Sequence, residues 1–258
     1  MIDIHSHILP GFDNGARTED ESIAMVHKAM SEGIDKIILT PSYISGESLV
    51  NPDQIFEAVS LLDNKLYEMN VPVKVYPGQL IHVYGEISTD LENGDLLPLN
   101  HKSQYVLIKL PNSHVPQYIE KLFFDIQIKG YTPVIAQPEL NQELMEKPNV
   151  LYYLVKSGAL TQVNTGSIAG KNGKKIQKLS LDLLERNLIH FLGTDATRPS
   201  RNGFFMKDAL RLINKEFGDV VTYQLKSNNE AILEGMPISK KEPIYFESKK
   251  IWKIFSRN

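Results

Sequence analysis

The feature that most constrains the fold is an alternation, from end to end, of short apolar runs with longer amphipathic ones. Each short run is rich in Val, Ile, Leu, Tyr or Thr and is followed by a polar, Gly or Pro turn, which is typical of a β-strand. Because these runs are continuously apolar, both faces of the predicted sheet are buried. The predicted strands are residues 1–4, 36–40, 73–76, 105–108, 133–136, 160–163 and 190–192.

Amphipathic segments fill the gaps between these strands and predict helices. Thr18 starts a helix that runs to residue 31 and is stopped by Gly33. Asn51 and Pro52 open a second helix that runs towards residue 68. Further helices are expected near residues 114–129, 141–156, 174–187 and 205–216.

Seven successive strand–helix units predict an α/β protein with a parallel sheet. The polar turns all follow the carboxyl ends of the strands, which favours a closed, TIM-like (β/α)7 barrel. A doubly wound open sheet is the alternative, but no glycine-rich phosphate fingerprint follows the first strand. We expect one barrel domain over residues 1–240 and a basic, aromatic tail over residues 241–258.

Composition excludes several classes of protein. The 258 residues carry a net charge of −3, so no nucleic-acid partner is expected. The absence of cysteine excludes disulfides, thiol chemistry and zinc–thiolate sites. No signal peptide and no apolar run of about 18 residues is visible, so a cytoplasmic location is expected. The oligomeric state stays open, and a homo-oligomer is compatible with the sequence.

The clearest chemical signal is the pair His5 and His7 at the end of the first strand. Side chains two residues apart on a strand point the same way, so both imidazoles can face one ion. Asp195 follows the seventh strand, where a carboxylate suits metal binding or proton transfer in a barrel enzyme. The structural alternative is that these polar residues cap backbone groups at the ends of strands and helices.

Other polar residues are weaker candidates. Asp13 and Glu139 are equally well explained as solvated turn residues. Arg198 and Arg201 follow Asp195 in a loop where guanidinium groups can grip an anion, with plain surface charge as the alternative. A structural role is predicted for His27, His101 and His190.

Seven short segments, in their order along the chain, carry a resemblance to a known family. They are MIDIHSHILPG at 1–11, YPGQ at 76–79, NSHVPQY at 112–118, KGYTPVIA at 129–136, KSGALTQV at 156–163, GKKIQK at 173–178 and HFLGTD at 190–195. Over roughly residues 1–235 the sequence resembles the bacterial manganese-dependent protein tyrosine phosphatases of capsule and exopolysaccharide operons. That family belongs to the polymerase-and-histidinol-phosphatase (PHP) superfamily.

The resemblance implies a distorted seven-stranded βα barrel with a cluster of metal ions, usually Mn²⁺, at the strand carboxyl ends. In that family the metal centre activates water for attack on phosphotyrosine, commonly on the partner tyrosine kinase that controls polysaccharide assembly. The resemblance marks His5, His7 and Asp195 as metal ligands. It also assigns Asp195 to the catalytic centre, with Arg201 standing in for a family arginine at a spacing that is one residue off.

The sequence departs from the family pattern at six of nine ligand positions, and Leu140 replaces a phosphate-gripping arginine. The family has acidic residues at three of these positions and histidines at the other three: Asp at Asn14, Glu at Leu80 and Lys109, and His at Ser42, Gln137 and Thr197. Each divalent ion needs several anionic or imidazole ligands. We therefore expect at most one weakly held ion and no multi-metal activation of water.

Three functions follow from these departures. The favoured one is a phosphatase-like protein, weakly active or inactive, that binds a tyrosine kinase bearing phosphotyrosine. The alternative is an active phosphatase with a residual one-metal site, helped by replacement ligands such as Asp13, Glu139 or His82. The third is a structural role in the polysaccharide machinery without phosphate recognition.

Two further expectations concern positive charges. The ammonium of Lys109 is expected to replace a metal ion by pairing with Asp195, since an unpaired buried carboxylate is costly. In the tail, residues 248–258 mix Lys and Arg with Trp, Phe and Ile, after the turn-like Lys241-Glu-Pro-Ile. This segment is expected to leave the barrel and contact an anionic membrane surface, with a disordered or packed chain end as the alternative.

Overall fold

The computed structural model describes residues 1–48, 50–198 and 203–247. Within these ranges the chain alternates strands with helices in the order that the sequence predicts. The strands are β1 Ile2–Ser6, β2 Lys36–Leu39, β3 Ser42–Tyr43, β4 Lys74–Pro77, β5 Leu80–His82, β6 Tyr105–Lys109, β7 Thr132–Ala136, β8 Leu160–Asn164 and β9 Phe191–Gly193. The helices are α1 Glu19–Ser31, α2 Pro52–Glu68, α3 Ile87–Asn93, α4 Ile119–Ile128, α5 Gln142–Glu146, α6 Asn149–Lys156, α7 Thr165–Ile168, α8 Lys174–Glu185 and α9 Met206–Glu234, with a 3-10 turn at Pro138–Leu140.

All strand pairs are parallel and fall into two sheets, ordered β1-β2-β4 and β3-β5-β6-β7-β8-β9. Since β2 pairs with β4 and β3 pairs with β5, the segments β2/β3 and β4/β5 are two interrupted strands. A parallel bridge between Ser6 and Ala196 joins β1 to the residues that follow β9. Counted in this way, the described chain forms the distorted seven-stranded α/β barrel that the sequence predicts.

The interruptions explain why β3 and β5 are absent from the sequence prediction. Pro41 lacks an N–H and separates β2 from β3. Gly78 separates β4 from β5 at a point of close approach, where a Cβ would lie 2.7 Å from Cγ2 of Ile38. A proline and a glycine are ordinary turn signals in a single sequence, although here the strand resumes after them.

The barrel encloses one apolar cluster and packs a larger one against its helices. The inner cluster includes Ile4, Leu107, Val134 and Phe191, all fully buried. Burying side chains of this size stabilises the fold by about 1.5–3 kcal/mol each. On β6 and β8 the inward residue two positions further on is polar, Lys109 after Leu107 and Gln162 after Leu160. The apolar core therefore ends near the carboxyl ends of the strands, where the inward-facing side chains are polar.

Helix starts agree closely with the sequence prediction. Thr18 caps α1 by accepting a hydrogen bond from the Glu21 N–H, and Asn51 forms a capping box with Gln54 at the start of α2. The predicted helix over 141–156 is instead two helices, α5 and α6, because Pro148 interrupts it. The predicted helix over 205–216 matches the first part of α9, which breaks at the non-helical Gly218 with φ +81°. The second part of α9, which continues to Glu234, was not predicted.

The segment 241–247 packs on the outside of the barrel, ahead of the predicted attachment segment at 248–258. The Ile244 N–H donates to the Arg186 carbonyl at 2.9 Å. The Asn149 side chain accepts from the Phe246 N–H at 2.8 Å and donates to its carbonyl at 3.0 Å. The Arg186 guanidinium lies 4.4 Å from the centroid of the Phe246 ring.

The rest of the tail, residues 248–258, lies outside the described residues, so the domain boundary at 240 and the membrane contact stay predictions. Among the helices of the described chain, none combines the length and the apolar character that crossing a membrane requires.

Candidate metal centre

Closure of the barrel brings the three sequence-predicted ligands together. The Asp195 N–H donates to the His5 carbonyl at 2.8 Å, and the His7 N–H donates to the Ala196 carbonyl at 2.9 Å. Gly193 permits this approach, since a Cβ there would lie 2.8 Å from the Cβ of His5. Asp195 has φ +53°, in the left-handed region that Asp tolerates better than most residues.

The side chains of His5, His7 and Asp195 meet at one point. Each offers one ligand atom, and these atoms all lie within 4.8 Å of one another. Oδ1 of Asp195 lies 3.4 Å from Nε2 of His5 and 3.1 Å from Nε2 of His7. Within the described residues this is the one group of three or more such side chains close enough to hold an ion.

His5 is held in the tautomer that a metal requires. Its Nδ1 lies 2.8 Å from Oε1 of Gln162, whose amide nitrogen donates to the Val163 carbonyl, so Nδ1 carries the proton. Burial lowers the pKa of His5 to about 4, which keeps the ring neutral at pH 7. Nε2 therefore presents a lone pair towards Asp195, and it has no hydrogen-bond partner in the described chain.

His7 bridges two carboxylates. Its Nδ1 lies 2.5 Å from Oδ2 of Asp13, and its Nε2 contacts Asp195. Burial alone would lower the pKa of His7, but the hydrogen bonds and charges of Asp13 and Asp195 overcome it and raise the pKa to about 10. The pKa of Asp195 falls to about 2 despite its burial, because His7 and His5 stabilise the carboxylate.

The donor set fits one divalent ion. A buried imidazole lone pair facing a carboxylate, as at His5, is stabilised by a cation between them. A histidine whose other nitrogen contacts a carboxylate, as His7 contacts Asp13, is the usual arrangement around a bound metal. His5, His7 and Asp195 would hold the ion, with Gln162 and Asp13 orienting the two rings.

The cleft that contains the ligands also carries the departures from the family pattern. It has an empty volume of about 1530 Å³ including its open mouth. Its lining includes His7 and Asp195 together with Asn14, Ser42, Leu80, Lys109, Gln137 and Thr197. These six side chains include an alkyl group and an ammonium, which bind no cation, so the described part of the cleft offers no second cluster of ligands.

Lys109 lines the cleft that holds Asp195, as the sequence predicts, but the two side chains form no direct ion pair. The described residues place no carboxylate within 4.0 Å of the Lys109 ammonium, which donates to Oε1 of Gln137 instead. Burial lowers the pKa of Lys109, while the charges of Asp195 and Glu139 act in the opposite direction. The ammonium of Lys109 therefore interacts electrostatically with Asp195 and Glu139 without contacting either carboxylate.

The weaker candidate residues from the sequence lie in different parts of the structure. Asp13 and His82 line the cleft, whereas Glu139 is fully buried and accepts the Asn164 N–H at 3.0 Å. Burial raises the pKa of Glu139 to about 7. Arg198 is absent from the cleft lining, and Arg201 lies outside the described residues, so its predicted catalytic role stays a prediction. His190 is buried against Thr161, as a structural histidine should be.

The sequence did not predict two supporting residues, Gln162 and Asp3. Gln162 is fully buried in β8, and Asp3 is fully buried in β1, where it accepts the Thr194 N–H at 2.9 Å. Burial raises the pKa of Asp3 to about 7. The available signal is a strongly polar residue in the middle of an apolar strand, because such a group is kept only where hydrogen bonds compensate for its burial.

A parallel βα barrel with a histidine–carboxylate cluster at its strand carboxyl ends defines a metal-dependent hydrolase type of site. The family described as "Capsular polysaccharide synthesis, CpsB/CapC" matches residues 1–234. Since that match covers most of the chain, the protein belongs to the CpsB/CapC family, which confirms the resemblance drawn from the sequence.

Relatives and solved structures agree with this assignment. The chain is 43% identical over 255 residues to the tyrosine-protein phosphatase YwqE of Bacillus subtilis, covering 99% of this chain and 100% of that protein. It is 31% identical over 254 residues to the putative tyrosine-protein phosphatase CapC of Staphylococcus aureus, covering 98% of each.

A crystal structure from work on B. subtilis YwqE and Streptococcus pneumoniae CpsB, described as unique metal-dependent tyrosine phosphatases, superposes with a TM-score of 0.93 at 43% identity. It covers 96% of this chain and 100% of the compared chain. A histidinol phosphate phosphatase from Lactococcus lactis superposes with a TM-score of 0.53 at 15% identity, covering 83% of this chain and 92% of that one. This second likeness concerns the fold alone.

Proposed function

We propose that this chain is a phosphotyrosine phosphatase that works with one divalent ion held by His5, His7 and Asp195. The observation that carries the proposal is the arrangement of these ligands, in which Gln162 and Asp13 hold both imidazoles in metal-binding orientations. The named relatives, described as tyrosine phosphatases, support the active alternative better than the inactive interpretation favoured from sequence.

Residues of this chain would bind the ion and orient the phosphotyrosine side chain. A divalent ion in this position supplies positive charge and makes water a stronger nucleophile. Asp195 anchors that charge, and Asp13 takes the hydrogen bond of His7 on the far side of its ring. Apolar side chains of the cleft form a surface suited to a tyrosyl ring, namely Phe12, Ile44, Val50, Leu80 and Leu140.

The setting of this activity is also part of the proposal. Manganese is the metal proposed, following the family that the sequence resembles, and carboxylate and water ligands suit it. The substrate proposed is a tyrosine-phosphorylated segment of a bacterial tyrosine kinase that acts in capsular or exopolysaccharide synthesis, in line with the family description. The protein would act in the cytoplasm, where such a kinase segment is reached.

A second function, phosphotyrosine binding without turnover, is favoured by one observation. Leu80 and Lys109 form the wall on which a further ion would need ligands, and neither side chain can bind a cation there. A protein with this wall retains a cleft for the phosphorylated side chain while lacking multi-metal activation of water.

Phosphate release from a tyrosine-phosphorylated peptide, measured with Mn²⁺ and with EDTA, tests the two functions. The one-metal enzyme predicts Mn²⁺-dependent release, about one bound ion per chain, and no release from the matched phosphoserine peptide. Absence of release with retained preference for the phosphorylated over the plain peptide would support binding alone. Absence of both release and preference would refute both functions.

A further inference from the structure

Lys109 occupies a central position at the strand ends that line the cleft. It is the last residue of β6, and it is in register with His82 of β5 on one side and Ala136 of β7 on the other. The carboxyl end of a barrel strand is where side chains meet a bound substrate. Lys109 lines the cleft that also contains His7 and Asp195.

The positive charge of Lys109 has no direct counter-charge in the described chain. Its ammonium donates to Oε1 of Gln137, a neutral acceptor, and the described residues place no carboxylate within 4.0 Å. An ammonium that is largely shielded from water is costly unless an anion accompanies it. Two of its three N–H donors are therefore available to a ligand.

Gln137 supplies a second donor at the same place. It is 4% exposed, and its Oε1 is used by Lys109, so its amide group faces away from that contact. The amide nitrogen faces the Asp195 carboxylate and helps to lower the pKa of that group, but it does not reach it with hydrogen-bond geometry within the described residues. A buried amide nitrogen that lines a cleft without a hydrogen bond is able to donate to an acceptor that enters between it and Asp195.

The residues beside Lys109 add no carboxylate of their own. Its register neighbours are His82 of β5 and Ala136 of β7, and neither side chain is acidic. Glu47 lines the same cleft, and it lies outside the 4.0 Å range of the Lys109 ammonium.

We propose that Lys109 and Gln137 form an anion subsite that holds the phosphoryl group of the substrate without a metal ion. This inference rests on the proposed phosphotyrosine specificity and gives the lysine a role in it. Lys109 replaces a metal-bridging carboxylate of the family by a group that contacts the phosphate directly. His5, His7 and Asp195, which would hold an ion, line the same cleft as this subsite, so an ion bound there would add its positive charge to that of Lys109.

Binding measured in EDTA isolates this subsite from the metal centre. The probes are O-phosphotyrosine, inorganic phosphate and plain tyrosine, titrated against the full chain by calorimetry or by NMR. Lys109→Met should weaken O-phosphotyrosine and phosphate binding at least about tenfold, because a charge-assisted hydrogen bond is lost. Lys109→Arg should retain most of the affinity, and binding of plain tyrosine should be unchanged in both variants.

Lys36→Met is the matched control, since Lys36 is an exposed strand lysine at the opposite end of the barrel. Its binding of O-phosphotyrosine should equal that of the unaltered chain. Thermal melting checks that each variant folds, and Lys109→Gln replaces Lys109→Met if the latter fails to melt cooperatively. Equal affinity of the lysine variant and the unaltered chain would overturn the proposal, as would failure of the unaltered chain to prefer O-phosphotyrosine to tyrosine.

This result can be told apart from the outcome for the proposed enzyme. Lys109-dependent binding in EDTA together with no Mn²⁺-dependent release would leave the subsite standing and refute the one-metal enzyme. Normal Mn²⁺-dependent release by Lys109→Met, with an unchanged KM, would refute the subsite and leave the enzyme standing.

Discussion

The two walls of the cleft differ in how their polar side chains are supported. On the wall formed by β1 and β9, each imidazole has a partner that fixes its orientation, Gln162 for His5 and Asp13 for His7. On the wall formed by β5, β6 and β7, Lys109 and Gln137 contact each other, and Leu80 contributes only an alkyl surface. The imidazole and carboxylate groups of the first wall suit a cation, and the ammonium and amide groups of the second suit an anion.

A metal centre is maintained by its supporting residues as much as by its ligands. Gln162 binds no metal itself, yet it links β1 to the backbone of β8 and β9. Where such partners are kept, ligand geometry is kept. Substitutions at Asp195, Asp13 and Ser42 and the titration of His7 can test this contrast between the two walls.

Asp195→Asn should abolish the metal site on the first wall. Asn tolerates the left-handed backbone of Asp195, so the fold is kept while the anionic ligand is lost. We expect Mn²⁺ affinity and Mn²⁺-dependent phosphate release to fall by more than about 100-fold. Calorimetry measures the Mn²⁺ affinity, and a phosphate assay measures the release; the exposed Asp20→Asn is the control. Retention of either Mn²⁺ affinity or Mn²⁺-dependent release would contradict the role of Asp195 as a ligand.

Asp13→Asn removes only the partner of His7. The ligands stay, but His7 loses the carboxylate that accepts from its Nδ1. Mn²⁺ affinity should fall by roughly 10- to 100-fold, the range for partners of metal ligands. Calorimetric titration measures the change; a loss as complete as that of Asp195→Asn would mean that Asp13 is itself a ligand.

The pH dependence of Mn²⁺ binding tests the proton that His7 shares with its two carboxylates. Because the pKa of His7 is raised to about 10 by Asp13 and Asp195 despite its burial, an ion must displace a proton below that pH. Mn²⁺ affinity should therefore rise by about tenfold per pH unit from pH 7 towards 10.

The metal-free protein should show the opposite slope, since a raised histidine pKa stabilises the fold below about pH 6.5 and ceases to do so as pH rises through 10. Urea unfolding in EDTA measures this, and His7→Gln should reduce the slope. An affinity that is independent of pH would contradict the bridging role of His7.

Ser42→His should have the smallest effect. It restores one family-type ligand on its own, and a second ion needs several ligands at once. The number of Mn²⁺ ions per chain should stay near one, and phosphate release should change by less than about twofold. Elemental analysis measures the first quantity. The combination Leu80→Glu, Lys109→Glu and Gln137→His is the informative comparison, since only the combined set should increase the number of ions bound.

Much of the fold was predictable because local rules and global structure agree. Thr18 and Asn51 cap helices where the sequence predicts, and the seven apolar runs correspond to seven barrel strands. The interruptions at Pro41 and Gly78 were not predictable, because the pairing that resumes after them depends on neighbours distant in sequence.

The site was predictable only in part. His5 and His7 are two residues apart and Asp195 follows a strand, so all three carry a local signal. The roles of Gln162 and Asp13 depend on contacts across 157 and 6 residues, and no spacing rule predicts such contacts. The ion pair expected for Lys109 failed for a similar reason: charge predicts attraction, but packing at the strand ends decides which acceptor is reached.

The hydrogen bonds between β1 and the end of β9 join the first strand to the last, and the residues that make them also bear the three ligands. The three ligands lie together only while these hydrogen bonds between the first and last strands are formed. A local unfolding event that broke them would separate the two histidines from the aspartate and open the barrel at the same time. An ion bound there would oppose that opening, so metal occupancy and the cooperativity of the whole barrel are thermodynamically linked.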